Sequence, residues 1–205
     1  MGSINYEKCG KYFGYIFWML IPRLAASVLM NIRVPGVNIA GNALRIVCEF
    51  VSVYFLWQLR SEDSRFKTVS FFYIGVVICG AIQLVLGKGD VWGKPGLGLP
   101  AVFSLIGAVL SIFYIIKLYP LLSDILAGPS PELSKRWLLI RKLFIVGTIV
   151  TFASVFMILL PGLGSIAAVA GAVIMLIASI MDLIAMYRSS VACKNYHNIK
   201  SPRIE

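Results

Sequence analysis

Six long apolar stretches set the rhythm of the chain, at 12–31, 37–59, 67–87, 97–119, 138–160 and 163–187. Each holds about 20 residues or slightly more, and at ~1.5 Å per residue a helix of that length crosses a ~30 Å hydrocarbon core. The runs are continuously apolar and lack the two-residue alternation of a barrel wall, so helices are predicted rather than strands. Lys8 and Lys11 precede the first run, as they would in a signal peptide. That run is too long for one, carries Pro22-Arg23 in its middle and has no convincing cleavage site, so it is read as a retained span.

The links between runs alternate in character. Asn31 to Gly36 ends in Pro35-Gly36, the stretch 87–98 ends in Lys94-Pro95-Gly96-Leu97-Gly98, and the fifth and sixth runs meet at Pro161-Gly162-Leu163-Gly164. Proline and glycine suit a tight reversal at a helix end. The intervening links, 60–67 and 117–142, are charged. The prediction is an all-α polytopic membrane protein, one membrane domain over 1–205, of six transmembrane helices in three tandem hairpins at 12–59, 67–119 and 138–187, with a cytoplasmic tail at 188–205. Ala40-Gly41 recurs as Ala170-Gly171, and Pro-Gly-Leu-Gly occurs at 95 and 161, so the hairpins read as a threefold repeat. Parallel repeats of this kind are related by an axis along the membrane normal.

Composition narrows the class. The chain is 59% hydrophobic and 14% charged, with mean hydropathy +0.87, against about 45–50% and about 25% in ordinary soluble domains. Too few charges exist to cover a water-exposed surface, which excludes a soluble enzyme, a disordered tail and a small disulfide scaffold. The net charge of +10 would point to nucleic acid in a soluble protein. Here the cations sit in short clusters between apolar runs, and no basic face with interleaved aromatics tracks phosphates, so nucleic acid is not an expected partner. Cysteines at 9, 48, 79 and 193 form no CxxC pair and the lone histidine is His197, so no metal or cofactor is expected.

The cations also orient the chain. Fourteen of the 19 basic residues fall on the side of the charged links, three (Arg33, Lys88 and Lys94) on the side of the Pro-Gly turns, and Arg23 and Arg45 within spans. The positive-inside rule places both termini in the cytoplasm and the turns outside. Between 120 and 144, Pro129 and Pro131 interrupt the chain, and Trp137, Leu138 and Ile140 are set among Lys135, Arg136, Arg141 and Lys142. A basic amphipathic helix at the inner headgroups has this pattern, with Trp137 in the interfacial belt. The plainer reading, which we prefer, is a cytoplasmic connection whose cations fix topology.

Charges inside spans cost about 2.5–3.5 kcal/mol each at the bilayer centre, which singles out Arg23, Arg45 and Glu49. Glu49 lies roughly 18 Å from the outer end of the second run by helical rise. Arg45 precedes Glu49 by one turn, and Arg23 lies at similar depth in the first run, so the three form the candidate binding site. With two cations and one carboxylate, the site is expected either to take an anionic group between helices or to hold a buried pair, Arg45–Glu49 or Arg23–Glu49, while the other arginine snorkels outward. Asp182 is expected nearer the inner interface in a capping role, with Lys117 as partner. Gly164, Ala168 and Ala172 form a small-residue row at spacing four that suits close helix packing. Gly87-Lys88-Gly89-Asp90 matches the GxGD of intramembrane aspartyl proteases. That chemistry needs two carboxylates sharing a proton, and Asp90 and Asp182 fall on opposite sides of the membrane, so no catalytic residues are assigned.

The sixth run, from Pro161-Gly162-Leu163-Gly164 through Ala170-Gly171 to Asp182 and Tyr187-Arg188, resembles the HdeD-like family of small bacterial membrane proteins. The likeness is best in the last hairpin, weaker over 95–119 and only topological over 1–60. It implies six spans in repeated hairpins with an acidic residue near the end of the second helix, an inner-membrane location, and an association with stress or acid tolerance without a defined reaction. Two function classes follow: a non-enzymatic membrane protein of structural or stress-related role, or a small-molecule transporter or substrate-binding membrane subunit using Arg23, Arg45 and Glu49. Expected partners are membrane lipids and a second copy or another membrane protein.

Overall fold

The computed structural model describes residues 4–30, 35–86, 99–156 and 163–200. These form α1 (Tyr6–Met30), α2 (Pro35–Gln58), a 3-10 turn (Leu59–Ser61), α3 (Arg65–Leu86), α4 (Leu99–Leu126), α5 (Pro131–Phe156) and α6 (Leu163–Lys200). Every predicted apolar run is helical where described, and no strand occurs among the described residues. Among the described residues, four helices contain stretches long and apolar enough to cross a membrane: Ile39–Ser61, Arg65–Val85, Val102–Leu126 and Gly164–Ile199. α1 and α5 are as long, but α1 carries Glu7, Lys8, Lys11 and Arg23, and α5 carries Glu132, Lys135, Arg136, Arg141 and Lys142. The three Pro-Gly links lie wholly or partly outside the described residues, and Arg33, Lys88, Asp90 and Lys94 lie outside them.

Each helix packs against its neighbours in sequence, most extensively α1 on α2, α3 on α4 and α5 on α6, and α1 meets α6 to complete a ring. Apart from a slight α4–α6 contact, no helix crosses the middle. The ring closes through small residues. A Cβ on Gly10 of α1 would stand 3.0 Å from the Ser190 carbonyl oxygen of α6. The absence of that carbon lets the Ser190 hydroxyl donate 2.6 Å to the Gly10 carbonyl.

Packing is tightest at the end holding the charged links. Phe13, Leu59, Phe66, Leu121, Leu122, Ile125, Leu126, Trp137, Ile140 and Cys193 are all buried there. Trp137 is fully buried and donates 3.0 Å to the Ser189 hydroxyl, so it faces the protein rather than the interfacial belt expected of it. The exposed face of this part of α5 presents Lys135, Arg136, Leu138, Leu139 and Lys142. Polar staples surround the same end. Glu62 accepts from the Asn5 backbone N–H at 3.0 Å and pairs with Lys8 at 3.1 Å, while Arg65 pairs with Asp63 at 2.9 Å and with Asp124. Burial pushes the Glu62 carboxyl up, but the Asn5 amide, Lys8 and Ser61 together hold it below the usual carboxylate range. Elsewhere the outward faces are apolar: Trp18, Phe50, Phe71, Val102, Val109, Ile149, Ile166 and Leu176 are all exposed, a belt too extensive for water.

Two boundaries differ from expectation. α4 runs through Pro120 to Leu126 and α5 begins at Pro131, so the supposed connection is largely helix. Only 127–130 separates the two, and Pro131 opens α5 where its missing N–H would have no helical partner. α6 spans 38 residues and absorbs most of the expected tail, because Ala185, Met186, Ser189, Ser190 and Cys193 remain buried against the bundle.

The small-residue row in α6 also shifts. Ala168 and Ala172 are exposed, and the buried small residues are Gly164, Gly171, Ala178 and Ala185. A seven-residue spacing keeps one seam facing a left-handed neighbour, which the spacing of four does not over this length. A Cβ at Gly171 would lie 2.5 Å from Thr151 Oγ1 and 3.1 Å from the Thr151 backbone nitrogen. One at Gly147 would instead meet Met175 Cγ and Sδ at 2.9 Å, the yielding part of a flexible side chain. Gly171→Ala should therefore cost about 1–3 kcal/mol by overpacking and lower the melting temperature in detergent more than Gly147→Ala does. Equal melting temperatures for the two variants would contradict the close approach of α5 and α6.

Candidate functional site

All six helices contribute to a central cavity of about 360 Å³, within the size range of small-molecule sites. Its walls are mostly apolar, with Leu20 and Leu24 from α1, Leu56 from α2, Val76 from α3, Ile115 from α4, and Phe144 and Met175 from α5 and α6. Its polar groups are Arg23 and Ser27 of α1, Ser52 of α2, Tyr73 of α3, Ser111, Tyr114 and Tyr119 of α4, and Ser179 and Asp182 of α6. Tight packing below Leu118 and Met186 forms the floor, while Leu24 and Ser27 are exposed towards the opposite end.

Of the three residues predicted to cluster, the structure brings two together. Arg23 Nη2 lies 3.5 Å from Glu49 Oε1, and Arg23 Nη1 donates 3.2 Å to the Tyr73 hydroxyl. The partners differ in setting. The Glu49 side chain is 5% exposed and that of Arg23 is 40% exposed, because Arg23 borders the cavity and Glu49 lies between helices. Arg45 does not join them. Its Nε is buried without a hydrogen-bond partner, and its Nη2 would stand 3.5 Å from a Cβ on Gly80 of α3. The missing side chain at Gly80 leaves room for a guanidinium, so the side chain of Arg45 extends towards α3 while Glu49, one turn on, meets α1. The helical spacing that places both on one side of α2 does not resolve this divergence of two long side chains.

Asp182 is a wall of the same cavity rather than an interfacial cap. Tyr119 donates 3.2 Å to Asp182 Oδ1, while Lys117, its expected partner, is exposed. Tyr119 is fixed in turn by stacking on Trp137 at 5.5 Å and on Phe144 at 5.8 Å between ring centroids. Tyr73 stacks on Tyr114 at 4.7 Å. Sequence reasoning missed these three tyrosines. Tyr73 and Tyr114 lie inside apolar runs, where a tyrosine hydroxyl usually finds a partner, whereas Tyr119 closes its run and gave no such signal.

The serines supply acceptors. Ser27, Ser52, Ser111 and Ser179 each donate to the carbonyl four residues back, at 2.8–3.0 Å, which leaves lone pairs available on Ser52, Ser111 and Ser179. The cavity thus has donors at Arg23 and the tyrosine hydroxyls, and acceptors at Asp182 and the serines. Cys9, Cys48, Cys79 and Cys193 are not among the lining residues. Among the described residues, no group of three histidine, cysteine, aspartate or glutamate side chains could hold a metal ion. Comparisons with protein-family models, with characterised proteins and with solved structures return no match.

Proposed function

We propose that this chain is a non-enzymatic, multi-pass membrane protein that binds a small solute inside its helix bundle, as a transporter or substrate-binding membrane subunit. The observation that carries this reading is the polar cavity. A bundle whose purpose is architecture gains nothing by surrounding a 360 Å³ space with an arginine, an aspartate and three tyrosines, because unpaired polar groups at membrane depth are costly. Ionisable groups inside a membrane bundle that face a cavity commonly mark substrate or ion pathways. In the proposal α1 and α5 also cross the membrane, which gives six spans in three hairpins with both termini in the cytoplasm, and the solute enters from the side of the Pro-Gly links. The likeness of the last hairpin to HdeD-like proteins adds an inner-membrane location and a role in stress or acid tolerance.

Water access tests the proposal directly. In a chain whose four native cysteines are replaced by serine, Ser111→Cys and Ser179→Cys should be modified by a small methanethiosulfonate reagent in detergent. Failure of both to react, while an exposed control at Asn195→Cys reacts fully, would mean a dry bundle and would overturn the solute site. Orientation is read with the same control. Asn195→Cys should resist an impermeant reagent in intact cells, and its ready labelling there would reverse the assigned topology.

A further inference from the structure

Charge accounting within the cavity points past a simple anion site. The cation at Arg23 is already matched by Glu49 at 3.5 Å. Asp182 has only the Tyr119 hydroxyl, on Oδ1, and among the described residues no lysine, arginine or histidine pairs with it. Its Oδ2 has no hydrogen-bond partner there, yet it is not among the buried unsatisfied atoms, so it opens onto the cavity. Ser179, one turn before Asp182, adds an acceptor oxygen beside it. This end of the site offers acceptors and an uncompensated negative charge.

The other end offers donors. The Arg23 side chain is 40% exposed and lines the cavity, and the Tyr73 hydroxyl accepts from Arg23, which leaves its own proton free to donate. The Tyr114 hydroxyl has no hydrogen-bond partner among the described residues, and its ring is stacked at 4.7 Å on Tyr73. Tyr114 and Tyr119 are five residues apart on α4, so the two ends are offset by roughly 7 Å along the helix axis.

We propose that the cavity takes a zwitterionic ligand, with its ammonium at Asp182 and Ser179 and its carboxylate or phosphate at Arg23 and Tyr73. The inference rests on the reading of the cavity as a solute site and gives that site its chemical class. A cation alone would leave the Arg23–Tyr73 donors unused, and an anion alone would leave Asp182 uncompensated. A molecule carrying both charges satisfies both ends and brings no net charge into the membrane. The same chemistry is present in a free amino acid or an ethanolamine phosphodiester and in the headgroup of phosphatidylethanolamine.

The test compares two-charge and one-charge probes on the full chain. Titration calorimetry in detergent would use 4-aminobutyrate and glycerophosphoethanolamine against butyrate and n-butylamine. In parallel, melting would be followed in nanodiscs of phosphatidylethanolamine and of phosphatidylglycerol. At least one soluble zwitterion should bind tenfold or more tightly than both one-charge probes. Should the soluble probes be inert, selective stabilisation by phosphatidylethanolamine would identify the lipid headgroup as the source. Asp182→Asn should reduce the affinity for the zwitterion to that for butyrate, and if that variant fails to fold, the probe series on the unaltered chain decides. Binding of butyrate or n-butylamine as tight as that of the zwitterions would overturn the two-charge ligand while leaving a solute site in place. Inertness of all four soluble probes together with equal melting in both nanodiscs would remove both readings.

Discussion

Arg23→Met should destabilise the protein far more than Glu49→Gln, although each removes one half of the same ion pair. The reason is the difference in exposure, 40% for the arginine side chain and 5% for the glutamate. Without Glu49, the guanidinium keeps the Tyr73 hydroxyl at 3.2 Å and an open cavity beside it, so its charge remains partly solvated. Loss of Arg23 instead strands Glu49 between helices, where its only ion pair among the described residues is with Arg23. Removing one partner of a buried pair typically costs about 3–5 kcal/mol when the charge left behind stays buried and uncompensated, as Glu49 would. The double variant Arg23→Met/Glu49→Gln should recover a large part of that loss, since neither charge then remains. Thermal melting of the four proteins in one detergent, read as a double-mutant cycle, gives the coupling directly. A larger loss for Glu49→Gln than for Arg23→Met would show that the carboxylate and not the arginine faces water, and would reverse the geometry of the pair.

That asymmetry was not legible in the sequence, although the pair was. Depth along two adjacent helices brings Arg23 and Glu49 level, and apolar run length alone identifies all six helices. What the sequence lacks is azimuth. Arg45, one turn before Glu49, and Arg23, level with it on the neighbouring helix, are equally suited to pair with Glu49, yet a glycine on α3 draws Arg45 away. Asp182 was misplaced for a related reason. Counting from Arg188 set it near the interface, but α6 continues as buried helix to Cys193, so the end of the apolar run was not the end of the packed bundle. Small residues misled through their period, since spacings of four and seven both look plausible on a helix and only contact with α5 selects seven. The alternating links were informative in another way. Charged links gather the tightest packing beneath them because Glu62, Asp63 and Asp124 tie adjacent helix ends together.

Trp137 links that packed end to the cavity, and its removal should have an effect as large as the loss of Arg23. The ring is fully buried, stacks on Tyr119 at 5.5 Å and donates to Ser189, whose own hydroxyl donates 2.7 Å to the Ala185 carbonyl. Trp137→Ala removes the largest fully buried side chain and leaves a void that surrounding helices fill only in part. Substitutions of this kind cost about 3–5 kcal/mol. Trp137→Phe keeps most of the stacking surface and loses the N–H, and because Ser189 retains its bond to Ala185, that loss should be nearer 1 kcal/mol. The two variants also separate packing from the site. Tyr119 positions its hydroxyl on Asp182 from the platform that Trp137 provides, so Trp137→Ala should weaken ligand binding in protein that is still folded, whereas Trp137→Phe should not. Melting in detergent followed by calorimetry below the melting temperature measures both. A tryptophan lying in the interfacial belt, as the basic pattern around it first implied, would give small and similar losses for the two substitutions and no change in binding.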